Sequence, residues 1–185
     1  MQVSEHERQW LQREGAKMVS ALGVQTGSSV IDFGCGKGRY TIPLSQAVGE
    51  GGKVYAVERN TAEIELLHER IADFGRQAQI EVLQSEDTQL HSITDNTIDA
   101  VFAFDVLQYV SDWDAFFTSL YRILKPTGRV HVYPAAIPHP DAVDVSKLSE
   151  TLDNAGFQPE RTDQFMMMHN KDMVTDTVHT FRPLV

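Results

Sequence analysis

Acidic side chains recur in this chain at positions where a bound molecule could use them. Asp32 precedes glycines 34, 36 and 38 in the stretch V-I-D-F-G-C-G-K-G-R-Y-T at 30–41. Glu58 closes K-V-Y-A-V-E and lies 20 residues beyond Gly38; Glu86 and Asp87 stand together in S-E-D; Asp105 follows I-D-A-V-F-A-F. Alternating glycines let a backbone turn sharply and approach a ligand closely, because no Cβ intervenes. A helix opening just after them points free N–H groups and its positive end at that ligand. An acid about 20 residues further on is placed to accept hydrogen bonds from the ribose hydroxyls of a nucleoside held over the loop. The stretch around Gly34, Cys35, Gly36 and Gly38 therefore reads as a nucleotide-type cofactor loop.

Its spacing discriminates between cofactors. A dinucleotide fingerprint needs G-x-G-x-x-G, which would put the last glycine at position 39, and that residue is Arg39. The Walker pattern is absent too, since no G-K-[ST] occurs. The acid at Asp32 suits a cationic ligand and suits a pyrophosphate poorly. S-adenosylmethionine, with a sulfonium, an ammonium and no phosphate, has the matching chemistry.

The elements that must position these residues follow from pattern. Ser4 and Glu7 form an S-x-x-E capping box, and Leu11, Gly15, Met18 and Leu22 then share one helical face that Gly23 ends. Trp10 on this helix is expected near the ligand cleft. A strand at 29–33 runs into the glycine loop, and a helix is expected at 39–48, with Pro43 in its first turn. A strand at 53–58 precedes a helix that Asn60 caps, with Ile64, Leu67, Ile71 and Phe74 on its buried stripe and Gly75 at its end. Strands follow at 80–83 and 98–104. A helix capped by Ser111 or Asp112 carries Trp113, Phe116, Phe117, Leu120, Ile123 and Leu124 and stops at Pro126, where P-T-G turns into a strand at 129–133. After a loop at 135–140, Val145, Leu148 and Leu152 mark a last helix. Strands near 164–169 and 174–181 are expected to pair antiparallel through a turn at N-K-D. Met166 to Met168 are expected to alternate across that sheet.

Strands and helices alternating in this way imply an α/β fold: a Rossmann-like, doubly wound, mostly parallel seven-stranded sheet with a C-terminal antiparallel hairpin and helices on both faces. The expected organisation is one domain over 1–185, with a covering helix at 1–23, a cofactor-binding core at 24–135, and a helix and hairpin at 136–185. A net charge of −10 argues against nucleic acid as a partner, since that binding draws on Lys and Arg against phosphates. No apolar run approaches the ~20 residues of a membrane span. A single cysteine excludes an internal disulfide framework, and the polar N-terminus lacks the order of a secretory signal, so a cytoplasmic location is expected. The seven histidines lack tight ligand spacing, so no metal is expected.

D-F-G-C-G-K-G resembles motif I of the class I S-adenosylmethionine-dependent methyltransferases. The resemblance continues through V-E at 57–58, the acids at 86–87, F-D-V-L-Q-Y-V at 104–110 and L-Y-R-I-L-K-P-T-G at 120–128, where Thr127 replaces a glycine of the family pattern. It is nearest to the small-molecule, quinone-biosynthesis C-methyltransferase type. The resemblance implies that Gly34 and its neighbours hold the methionine portion, with Asp32 aiding the ammonium, and that Glu58, followed by Arg59, binds the ribose diol. It implies Glu86 or Asp87 for the adenine amine, and Asp105 beside the methyl donor.

Methyl transfer from a sulfonium is an in-line displacement with a good leaving group, so the protein mainly positions the acceptor and excludes water. A base helps if the acceptor is a hydroxyl or a carbon acid. Tyr40, Tyr109 and His139 are candidates by position, each more readily read as a pocket wall or a surface residue than as a base, and no catalytic residue is assigned. Cys35 reads as a small loop residue. The N-P-P-Y motif of exocyclic-amino methyltransferases is replaced by Asp105-Val106-Leu107-Gln108, which leaves a small-molecule acceptor as the expectation. The alternatives are a fold relative that methylates a protein or binds cofactor as a non-catalytic subunit, and an NAD-dependent oxidoreductase.

Overall fold

The computed structural model describes residues 4–84, 90–134, 143–169 and 172–184. Its N-terminal helical stretch comprises α1 (Glu5–Gln9), a π-helical segment (Trp10–Glu14) and α2 (Gly15–Ala21), and Ser4 Oγ accepts from Glu7 N as the capping box requires. Then follow β1 (Ser29–Phe33), α3 (Thr41–Val48), β2 (Lys53–Glu58), α4 (Thr61–Phe74), β3 (Ile80–Gln84), β4 (Ile98–Phe104), a 3-10 turn (Leu107–Tyr109), α5 (Trp113–Ile123), β5 (Leu124–Tyr133), α6 (Val145–Asn154), β6 (Phe157–His169) and β7 (Asp172–Pro183).

The sheet has seven strands in the order β3-β2-β1-β4-β5-β7-β6. β1 pairs in parallel with β2 on one side and β4 on the other, so the strand order reverses beside β1. A doubly wound sheet binds ligands at such a reversal, beyond the strands' carboxyl ends. Side chains alternate across β1: Val30 joins the buried cluster of the N-terminal helices, α3 and α4, while Ile31 and Phe33 join the cluster of α5 and α6. Both faces are thus covered, and β1 is apolar except at Ser29 and Asp32.

The boundaries of α3, β5, β6 and β7 differ from expectation. α3 begins at Thr41, because residues 37–40 are occupied by the turn in which Gly38 N donates to Cys35 O. The P-T-G segment belongs to β5, whose register shifts between Ile98↔Leu124 and Ala100↔Arg129, so the turn is an irregular excursion within a strand. β6 and β7 are longer than expected and antiparallel. Only Val130 to Val132 of β5 pair with β7, at Phe181 to His179. Beyond those residues the β6–β7 ribbon continues as an arm whose far end reaches the glycine loop and the N-terminal helix. Tyr40 Oη donates to Met168 O and accepts from Met168 N, both at 3.1 Å, and His6 Nδ1 lies 3.3 Å from Asp172 Oδ1. That contact buries Met168 along with Met167 and interrupts the alternation that exposes Met166. Among the described residues, no helix is long and apolar enough to cross a membrane.

Candidate functional site

The glycine loop is fastened to the end of β2. Gly34 N and Cys35 N both donate to Val57 O, at 2.9 and 3.1 Å. Gly36 N donates to Glu58 Oε2 at 2.9 Å, while Arg59 N and Asn60 N both donate to Glu58 Oε1 at 2.8 Å. Glu58 therefore ties two loops together with charge-assisted bonds. Its carboxylate has roughly four acceptor positions, so these three bonds leave capacity for a ligand. Asn60 Oδ1 in turn caps α4 at Ala62 N, as its position anticipated.

Gly34 is required by geometry. Its φ is +71°, and a Cβ built there would lie 2.2 Å from Val106 Cγ2. The loop and the segment after β4 approach each other at backbone range, and a cavity of about 530 Å³ opens beside them. Gly34, Glu58, Arg59 and Asp105 line it, with Phe33, Arg39, Asn60, Glu63, Val106 and Tyr109. Four of the expected cofactor-binding residues, and Tyr109 from among the candidate bases, thus share one cavity. Asp32, Cys35, Gly36 and Gly38 are not among its lining residues, and Glu86 and Asp87 fall outside the described residues, as does His139.

Asp32 is 2% exposed and accepts from Thr41 Oγ1 at 2.6 Å. Desolvation pushes its carboxyl up to about 7; the Thr41 bond opposes this and the charge of Glu58 adds to it. Cys35 is buried, and burial, then Asp32 and Glu58, hold its thiol well above the ordinary range. That environment suppresses the thiolate and fits a structural loop residue.

Asp105 adopts φ +57°, a left-handed conformation that aspartate tolerates better than most residues. Its N–H donates to Tyr133 O at 2.9 Å and its carbonyl accepts from Gln108 Nε2 at 3.0 Å. Burial raises its carboxyl above the usual range, opposed by His169 and Arg39. His169 Nδ1 lies 2.9 Å from Asp105 Oδ2, without the alignment of a hydrogen bond.

Arg39 stands where a dinucleotide loop would have glycine. Its carbonyl accepts from Trp10 Nε1 at 2.8 Å, and its Nε lies 3.4 Å from Glu7 Oε1. Glu7, 4% exposed, is also paired with Arg70 at 2.9 Å. Trp10 is therefore a fully buried brace behind the cleft.

Sequence reasoning passed over Arg39 as a cavity residue and His169 altogether. Arg39 had a signal, because it follows the loop directly. His169 had none. Among the described residues, no group of His, Cys, Asp and Glu side chains is arranged to hold a metal ion.

The lining chemistry fits an amino acid joined to a nucleoside: carboxylates at Glu58 and Asp105, a cation at Arg39, and a glycine wall that a Cβ would close. Residues 31–132, more than half of the chain, match the family described as "Methyltransferase domain". The chain belongs to that family. This methyltransferase domain is of the S-adenosylmethionine-dependent class that the motifs resemble, and S-adenosylmethionine is the cofactor of that class. It is 32% identical over 120 residues to the ubiquinone/menaquinone biosynthesis C-methyltransferase UbiE of Escherichia coli O1:K1 / APEC, covering 65% of this chain and 47% of that one. The chain thus spans about half the length of the C-methyltransferases it matches.

Among solved structures it resembles a SAM-dependent methyltransferase from Aquifex aeolicus, with a TM-score of 0.76, 23% identity, and 96% and 93% of the two chains covered. It also resembles the [4+2]-cyclase SpnF, with a TM-score of 0.72, 18% identity, and coverage of 92% and 80%. At such identities the likeness concerns the fold, and the second neighbour shows that this fold also carries a cyclase.

Proposed function

We propose that this chain transfers the methyl group of S-adenosylmethionine to a small-molecule acceptor. The observation that carries the reading is the cavity at the strand reversal, where Gly34, Arg39, Glu58 and Asp105 converge without a phosphate-binding loop. The similarity to a C-methyltransferase named for ubiquinone and menaquinone biosynthesis supports an acceptor of small-molecule size.

When bound, S-adenosylmethionine supplies a methyl group activated by a sulfonium. The chain's own residues hold and orient it. The backbone at Gly34 to Gly38 and the carboxylate of Asp105 receive the methionine portion. Asp32 acts from beneath through the loop it braces, and Arg39 offers a cation to a carboxylate. Glu58 receives the ribose hydroxyls, with Arg59 beside it, and Glu86 or Asp87 the adenine amine. Val106, Tyr109 and Val110 line the cavity and limit water near the transferred group.

Calorimetry tests the cofactor: S-adenosylmethionine should bind and NADH should not, and the reverse result would overturn the reading. Glu58→Ala should weaken S-adenosylmethionine binding at least ~10-fold, in line with the loss of a hydrogen bond to a charged group. An unchanged Kd in a folded variant would remove Glu58 from the site. Labelled cofactor incubated with a deproteinised cell extract should yield a methylated small molecule; transfer seen only with the protein fraction would redirect the acceptor to a protein.

A further inference from the structure

Asp105 and His169 form a pair that cofactor binding alone does not explain. Asp105 lines the cavity beside Gly34 and Arg39, and His169 Nδ1 approaches its Oδ2 to 2.9 Å from the end of β6. The two side chains are 35% and 15% exposed, so the pair is sheltered without being sealed. Nδ1 is the ring nitrogen shut off from solvent, so the ring's remaining exposure lies away from Asp105, on the side that carries Nε2. Main-chain bonds from other elements fix both partners. The Asp105 backbone is held by Tyr133 O and Gln108 Nε2, and Met168, the residue before His169, is held on both its N–H and its carbonyl by Tyr40 Oη. An imidazole set with one nitrogen against a carboxylate is a recurrent proton acceptor at group-transfer sites, where hydrogen bonds that are loose in the ligand-free protein come into line once substrate binds.

The other candidates are less suited. The Tyr40 hydroxyl is buried, already donates and accepts with Met168, and is held well above its ordinary range by burial. Tyr109 is 58% exposed.

We propose that His169 Nε2, oriented by Asp105, is the general base toward the methyl acceptor, and that the acceptor is a nucleophile arriving with its proton on, a hydroxyl or an acidic C–H. The proposal rests on the methyltransferase reading above. The acceptor's proton passes to Nε2, and the electron pair it leaves on oxygen or carbon forms the bond to the methyl carbon. The bond from that carbon to sulfur breaks with its pair remaining on sulfur. The imidazolium lies against the Asp105 carboxylate until it returns its proton to water. The sulfur leaving group needs no acid, so the acceptor side alone requires a proton transfer. The groups that face the pair and shape its pH response are Arg39 and Tyr40 after the glycine loop, Tyr133 on β5 and Asp176 on β7.

Three measurements test this. Nitrogen-15 NMR of the free protein should show the neutral His169 ring as the Nδ1–H tautomer; the Nε2–H tautomer would overturn the proposal. Calorimetry should give His169→Gln a Kd for S-adenosylmethionine within twofold of the wild type. With tritiated S-adenosylmethionine and deproteinised cell extract as the acceptor probe, His169→Gln should transfer label about 100-fold more slowly, within the usual span for general-base catalysis. It should also lose the acidic limb of the wild-type pH–rate profile, and the product should be methylated on oxygen or carbon. Equal rates, or a product methylated on sulfur, would overturn the base and leave the methyltransferase reading intact. A wild type that fails to bind S-adenosylmethionine, or binds it without labelling the extract, would remove that reading and this one with it. If His169→Gln does not bind cofactor, the wild-type tautomer decides alone.

Discussion

Asp32 is a carboxyl without water, and its titration reports how the glycine loop is built. Folding raises it from the ordinary carboxylate range to about 7. Between those values the native protein holds a proton that the unfolded chain releases. Its contribution to stability is therefore fully present below about pH 4, declines as pH rises to about 7, and is constant above. The full span is roughly 4 kcal/mol. Asp32→Asn keeps an oxygen for the Thr41 hydroxyl and cannot ionise. The variant should gain several kcal/mol relative to wild type between pH 4 and pH 8 in urea unfolding, and groups common to both proteins, Asp105 among them, cancel in that difference. A constant difference across the range would mean that Asp32 ionises normally in the folded state. Below pH 7 the residue is then a neutral brace for Thr41, and above it a negative charge beneath the loop.

At the scale of elements, the widened turn of the N-terminal helix sets how α3 sits on the site. Gly15 follows the π-helical segment, and a Cβ there would lie 2.5 Å from Pro43 Cγ and 2.9 Å from both Pro43 Cβ and Trp10 Cε2. Gln46 Nε2 also donates to Leu11 O at 2.7 Å, binding α3 to the same turn. Alanine in place of an interior helical glycine ordinarily gains about 1 kcal/mol. Here the obstacle is a proline ring and a buried indole, and overpacking costs typically 1–3 kcal/mol. Gly15→Ala should therefore lower the urea midpoint with an unchanged m-value. A raised midpoint would show that α3 can slide away. The sequence marked Gly15 as part of an apolar helical face, because periodicity records which side of a helix is buried. It could not mark the reason for a glycine, which lies in Pro43, a residue of another helix. The same limit hid the π-helical widening, since Trp10 to Glu14 carry no residue type that distinguishes it from an α-turn.

Across the whole molecule, what was legible was what neighbours in sequence decide. The glycine loop, Glu58 and Asp105 each end a strand that a run of apolar residues makes evident, and the parallel order follows from the helices between them. The position of the β6–β7 arm was not legible. Its strands pair with each other over most of their length, yet only three residues pair with β5, so local pattern gives a hairpin and no direction for its far end. The contacts that direct it, Tyr40 with Met168 and Asp105 with His169, join residues 128 and 64 positions apart. Loop and strand ends consequently meet around one cavity, with the arm fastened beside them at Tyr40 and Asp105, and a ligand there should hold the native state against unfolding. At 100 times its Kd, S-adenosylmethionine should add about 2.7 kcal/mol of stability. For a chain of this size that raises Tm by roughly 5–10 °C. NADH should leave Tm unchanged, and Glu58→Ala should need about ten times more S-adenosylmethionine for the same rise, as its weakened Kd requires. Equal shifts in wild type and Glu58→Ala would mean that the cofactor stabilises the chain from somewhere other than this cavity.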